Sequence, residues 1–168
     1  MKYFGQFFKY LPLEPPKRER FTNEIRRPRF VYAAGVRVGL APGLGGQELP
    51  LSERFFAGGS TTLRGFAQNA VGPIGPDRIP LGGEALLIIN NEIRVPLFGM
   101  VDGVVFLDVG DVFLNVSDFS LTKLRESGGV GARLRTPWFL VRLDYGIPLD
   151  RRAGEARGRF FFSIGQAV

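Results

Sequence analysis

Two residue types are missing altogether from this 168-residue chain, cysteine and histidine. Without cysteine there is no disulfide framework and no thiol nucleophile. Without histidine there is no His-based catalytic triad, and the usual zinc donor sets are gone. Long apolar runs are missing too: no stretch reaches the roughly 18 residues that a membrane helix needs. A membrane strand needs only about 10 residues with one apolar face, so that absence leaves a membrane barrel open. After Met1-Lys2, the polar or small residues Gly5, Gln6 and Lys9 interrupt what would be the apolar part of a signal peptide.

What is present suits strands and turns. There are 23 Gly, 12 Pro and 16 Phe, a profile of punctuation and pleated aromatic surface rather than of helices. The net charge is +6, but the basic residues are spread among the strands. Their one cluster, from Lys17 to Arg29, also contains Glu19 and Glu24. That distribution does not point to nucleic acid.

Alternation of large apolar with small or charged residues marks strand after strand. Residues 2–11 read as a short aromatic strand with no assignable facing. Over 29–41, Phe30, Tyr32, Val36, Val38 and Leu40 oppose Arg29, Ala33, Gly35, Arg37 and Gly39. In GGEALLIINNEIRVPLF, Leu87, Ile89, Ile93, Val95 and Leu97 share a face against Asn90, Glu92 and Arg94. VDGVVFLDVGDVF sets Val105, Leu107 and Val109 against Phe106, Asp108 and Gly110. Two further strands follow, SGGVGARLRT and WFLVRLDYGI. A last one, RFFFSIGQAV, carries Phe160, Phe162, Ile164 and Val168 on one face. Its other face holds Phe161, Ser163, Gly165 and Ala167.

Alternation has no sign, so it does not say which face is inside. Three features do. The polar face combines Gly with Arg, Asp and Glu, which suits a wet lumen. The apolar face carries large residues on every strand, more than a small interior could hold. From residue 82 onward the connections run tight (98–100), long (114–126), tight (136–138) and long (148–158), as in membrane barrels with short periplasmic turns and long extracellular loops. The segment 42–82 then lies outside with the long ones. The connection 12–28 falls on the periplasmic side and is longer than that rule expects. On this orientation Leu87, Ile89, Val105, Leu107, Val141 and Leu143 face lipid, and an arginine at lumenal Asn90 should be tolerated.

Within 42–82 stands ERFFAGGSTTLRGF, residues 53–66. It is too rich in Gly and Thr for a helix and lacks a strand's alternation. Gly58 and Gly59 permit a sharp re-entry of the chain, and Leu63-Arg64-Gly65-Phe66 flanks a cation with apolar and small residues. This segment resembles the (V/L)RG(F/Y) loop motif of the BamA/TamA superfamily of outer-membrane assembly and translocation barrels. The likeness continues through GGEALLIINNEIRVPL, VVFLDVGDVF, GVGARLRTPWFLVRLDYGIPL and the terminal FSIGQAV. Val168 departs from it, because the family usually ends in an aromatic.

The resemblance implies an all-β fold, an antiparallel transmembrane β-barrel, of which this chain holds about seven C-terminal strands. The parent would be sixteen-stranded, with soluble periplasmic repeats upstream. Residues 1–168 are then the C-terminal part of one barrel domain, with the inserted loop within 42–82 and the terminal strand at 159–168. The expectation is a tail of a longer chain, or a true start upstream of Met1. The family's motif arginine points into the lumen, and matching carboxylates receive it, here Glu92 and Asp108. A guanidinium that cannot be deprotonated must find such acceptors. No nucleophile or metal-ligand cluster accompanies the two carboxylates, so they are not read as catalytic, and no metal, cofactor or enzymatic activity is expected. Gly129-Val130-Gly131 lacks a third Gly and a helix for a dinucleotide site, and GGSTTLRG lacks the Lys of a P-loop.

The implied function is insertion of client barrels into the bacterial outer membrane. It would act at a lateral seam formed by the terminal strand, with Phe160, Phe162, Ile164, Gly165 and Val168 as its residues. The implied partners are outer-membrane lipid, client outer-membrane or secreted proteins, and periplasmic or inner-membrane accessory subunits. Three alternatives remain open at this point: a two-partner secretion translocator, a passive porin-like barrel and a soluble ligand-binding barrel.

Overall fold

In the computed structural model, residues 1–14, 30–43, 49–136 and 138–166 are described. The connection 15–29 and the terminal Val168 lie outside them. Seven strands follow in order: β1 Tyr3–Pro12, β2 Val31–Leu40, β3 Ala85–Phe98, β4 Val101–Phe113, β5 Arg125–Arg135, β6 Phe139–Pro148 and β7 Arg159–Gln166. Each pairs antiparallel with the next in one sheet of order β1 to β7. The sheet does not close on itself, so β1 and β7 are its edges. This is the all-β architecture of a partial barrel.

The local chemistry of the strands explains their limits. Gly99 takes φ +54° in the two-residue turn between β3 and β4. Pro96 has no N–H for the ladder, and the register with β4 shifts between Pro96 and Phe98. The Thr136 side chain accepts from the Phe139 N–H at 3.0 Å and closes the turn into β6. Strand β5 begins at Arg125, two residues before the start expected for it after the polar loop 114–126. Arg125 is placed opposite Gly110 in register and is held by acids of the β6–β7 loop, contacts that local sequence does not announce.

One face of the sheet is greasy and open. Val105, Leu107, Leu143, Phe160, Phe162 and Ile164 are all exposed there, whereas Leu87 is buried opposite Asp111 in register. At the lower rim Phe98, Met100, Trp138 and Phe139 stand exposed, as amphipathic and aromatic residues do at a membrane boundary. For β1 the structure assigns the facing: Phe4, Phe8 and Tyr10 share a face with Gly39, Gly35 and Ala33, the lumenal one.

The core is not sandwiched between two sheets. It lies between the inner face and the inserted segment, where Leu86, Ile88 and Val112 meet Phe55, Leu63, Phe66 and Val71. The lumenal face is therefore dry near its extracellular end. A uniformly wet lumen overlooks Leu86 and Ile88, which share the face of Asn90 and Glu92. Burying side chains such as Leu63 and Phe66 stabilises the docked loop by roughly 1.5–3 kcal/mol each.

Candidate functional site

The inserted segment crosses the lumen as an irregular loop tied by isolated bridges, Phe55 to Gly83 and Ala57 to Val71. Its turn is made at Gly58 and Gly59, with φ of +108° and +99°. The Gly58 N–H donates to Thr62 Oγ1 at 2.8 Å and the Gly59 N–H to the Leu63 carbonyl at 3.2 Å. These bonds drive Leu63 and Arg64 inward; both are buried.

Arg64 reaches two strands at once. Its Nε and Nη2 donate to Asp108 Oδ2 and Oδ1, each at 2.8 Å, and its backbone N–H to Oδ2 at 3.1 Å. Its Nη1 donates to Glu92 Oε2 at 2.8 Å. The guanidinium carbon lies 3.6 Å from the centroid of the Phe106 ring. A fork of this kind combines bidentate charge-assisted bonds with stacking, which lysine could not reproduce. Gly65 follows with φ +99° against the backbone of Gly146 and Ile147. A Cβ on Gly146 would come within 2.6 Å of the Gly65 nitrogen. The two glycines let loop and β6 touch backbone to backbone, and Phe66 beyond them is buried.

Several residues of the cluster were not singled out from sequence. Arg133 on β5 donates to Asp144 Oδ1 at 2.7 Å and to Glu92 Oε2 at 3.3 Å. Arg94 donates to Glu92 Oε1 at 2.7 Å. Asn90 donates to the Thr62 carbonyl at 2.7 Å and to Asp108 Oδ1 at 2.8 Å, while accepting from Arg37. An arginine at Asn90 would forfeit these bonds, so this lumenal position does not offer the tolerance that its facing alone implies. In WFLVRLDYGI, Asp144 and Gly146 alternate with Leu143, Tyr145 and Ile147 and so take the lumenal face of β6. Their convergence on Arg64 and Gly65 depends on register and curl.

Another buried cation, Arg125, sits above. It pairs with Asp150 and Glu155 of the β6–β7 loop, and its guanidinium carbon is 4.6 Å from the centroid of the Phe66 ring. Burial disfavours the charge on Glu155. The hydrogen bonds from Arg125 and from the Arg152 N–H outweigh it and hold this carboxyl below its ordinary 4.5.

The terminal strand lies apart from this cluster. Phe160 packs against Tyr145 with centroids 4.5 Å apart. A Cβ at Gly165 would meet nothing within 4 Å.

The Omp85 superfamily domain matches residues 18–168. The chain belongs to the Omp85 superfamily. It is 34% identical over 148 residues to the outer membrane protein assembly factor BamA of Nitratidesulfovibrio vulgaris, covering 83% of this chain and 18% of that protein. It is 30% identical over 154 residues to outer envelope protein 80, chloroplastic, of Arabidopsis thaliana, covering 87% of this chain and 19% of that one. The chain thus spans less than a fifth of these two Omp85 relatives. The crystal structure of BamA from Haemophilus ducreyi lacking POTRA domains 1–3 matches 98% of this chain and 35% of that one, with TM-score 0.73 and 23% identity, a likeness of fold. As a member of the Omp85 superfamily with a greasy outward face, the chain is part of a bacterial outer-membrane β-barrel.

Proposed function

We propose that this chain is the C-terminal part of an outer-membrane assembly factor that inserts client barrels at a lateral seam. The supporting observation is the buried fork of Arg64 on Asp108 and Glu92. It anchors an inserted loop across the lumen without offering a nucleophile or acid–base pair for bond chemistry. The likeness to proteins named outer membrane protein assembly factor BamA supports the same reading. Arg64, Asp108 and Glu92 act as a latch that keeps the loop docked, and Gly58, Gly59, Leu63, Gly65 and Phe66 shape and seat it.

The seam is β7. In the complete barrel this strand would meet the first strand, and an edge left unpaired there is a template for an incoming strand. Phe160, Phe162 and Ile164 hold it in lipid, while Gly165 fills no tight space and weakens its pairing. Partners on this reading are outer-membrane lipid, nascent outer-membrane clients and accessory envelope subunits.

The test is a pair of cysteines, one at Ser163 of β7 and one on the first strand of the full-length barrel. Cross-linking is expected to stop client insertion, and reduction to restore it. Complete cross-linking with undiminished insertion would rule the seam mechanism out.

A further inference from the structure

Beneath the tip of the inserted loop the lumen holds a cavity of about 150 Å³, to which the curl of the sheet brings both β1 and β6. Phe8, Tyr10, Arg37, Arg64, Arg94 and Arg142 line it. Besides Arg64 on Phe106, two of its guanidinium groups are stacked: the Arg37 carbon is 5.1 Å from the Phe8 centroid, and that of Arg94 is 5.4 Å from the Tyr10 centroid. Such stacking holds a planar cation in place while its edge stays free to donate.

The charges around the cavity do not balance. Arg37, Arg64, Arg94, Arg133 and Arg142 stand against Glu92, Asp108 and Asp144. Both oxygens of Glu92 are already engaged, Oε2 by Arg64 and Arg133 and Oε1 by Arg94. Asp108 is taken by Arg64 and Asn90, and Asp144 by Arg133. Among the described residues Arg37 has Asn90 as its hydrogen-bond acceptor and no carboxylate. Arg142 comes no nearer to Asp144 than 3.9 Å, and its buried Nε–H has no acceptor. The cavity is thus rich in donors and poor in acceptors. Unsatisfied buried donors of this kind call for a water or an ion.

We propose that this cavity is a binding site for a small oxyanion, phosphate or carboxylate, held between Arg37 and Arg142 below the loop tip. Guanidinium edges suit such groups, which take paired N–H donors in one plane. Rings of arginine are also how pores are made selective for anions. The space is sufficient: it is about five times the roughly 30 Å³ a water molecule occupies in the liquid. The residues that carry the proposal, Arg37 and Arg142, are not those that fasten the loop. The site therefore stands or falls separately from the latch.

The experiment is calorimetric titration of the full-length protein in non-ionic detergent at low salt, with inorganic phosphate and, separately, acetate. Saturable single-site binding of at least one of them is expected, and the anion bound names the class. Arg37→Gln with Arg142→Gln should weaken that binding about tenfold or more, whereas Arg152→Gln in the β6–β7 loop should leave it unchanged. If the double variant fails to fold, Thr61→Glu serves instead. It keeps every guanidinium and places a competing carboxylate at the cavity mouth, so binding should vanish. Absence of saturable binding by the unaltered protein overturns the proposal, as it would if an acid from elsewhere in the chain occupied the cavity. Equal binding by the cavity variants overturns it too, because the anion would then sit elsewhere.

Discussion

Asp108 accepts from the backbone N–H, Nε and Nη2 of Arg64 and from Asn90, and it is fully buried. Removing one member of a buried pair strands the other, at about 3–5 kcal/mol. Arg64→Ala and Asp108→Ala should each undock the loop to that extent, read as protease cleavage within 51–83, and the double variant should match either single one. Additive losses would mean that the two residues act separately. Glu92→Gln should undock the loop less, because Arg64 keeps its three bonds to Asp108. Gly65→Ala tests the seat. Its φ of +99° and the β6 backbone at 3.0 Å leave no place for a methyl group, so a loss of roughly 1–3 kcal/mol is expected. Glu155 supplies the pH dependence. Its folded pKa is depressed, so its contribution is full above 4.5 and fades as pH falls through the lower folded value. Protease exposure of the β6–β7 loop should rise in that acid window, and Glu155→Gln should flatten the profile.

At the scale of the strand, facing decides what a charge costs. Val105, Leu107 and Leu143 are exposed on the greasy side, and arginine there, near the midplane of the bilayer, should cost about 2–4 kcal/mol. The same substitution at lumenal Ser163 on β7 should cost much less, measured as the folded fraction in detergent or bilayer. Equal costs on both faces would mean the barrel has been read inside out. Strand β7 combines that facing with an unforced glycine. Gly39 and Gly129 would each drive a Cβ into an aromatic ring, while Gly165 has open space around it. A glycine that packing does not require lowers the strand's pairing strength, a property that fits the seam proposed at β7.

For the whole molecule, the loop, the seam and the cavity are linked by β6. Gly146 seats Gly65, Asp144 neutralises Arg133, Arg142 lines the cavity, and the strand pairs with β7. Displacing β7 and β6 outward would therefore loosen the docked loop as well as open the edge. We expect that, in the full-length protein, Val168→Phe strengthens barrel assembly without blocking client insertion, scored by the heat-modifiable gel band and by insertion rate. Lost insertion with a fully assembled barrel would show that the weak terminus serves something other than assembly.

Much of this was legible in the sequence. The period of two exposed the strands and their greasy faces, because side chains alternate along a strand whatever its neighbours are. The LRGF segment, with Asp108 and Glu92 on lumenal positions, pointed to the three groups that meet. The rest depended on contacts between residues distant in the chain. Leu86 and Ile88 are lumenal by alternation, yet only the docked loop makes them core. Arg125 reads as part of a polar loop, and Asp150 and Glu155, 25 and 30 residues on, enclose it. Asp144, Gly146 and Arg142 join the site through the pairing of β5 with β6 and the curl that carries β6 across from β1. Alternation is a local property of the backbone and can be read from one strand. Register and curl arise from pairing between strands, so only the assembled sheet decides which charges share a cavity.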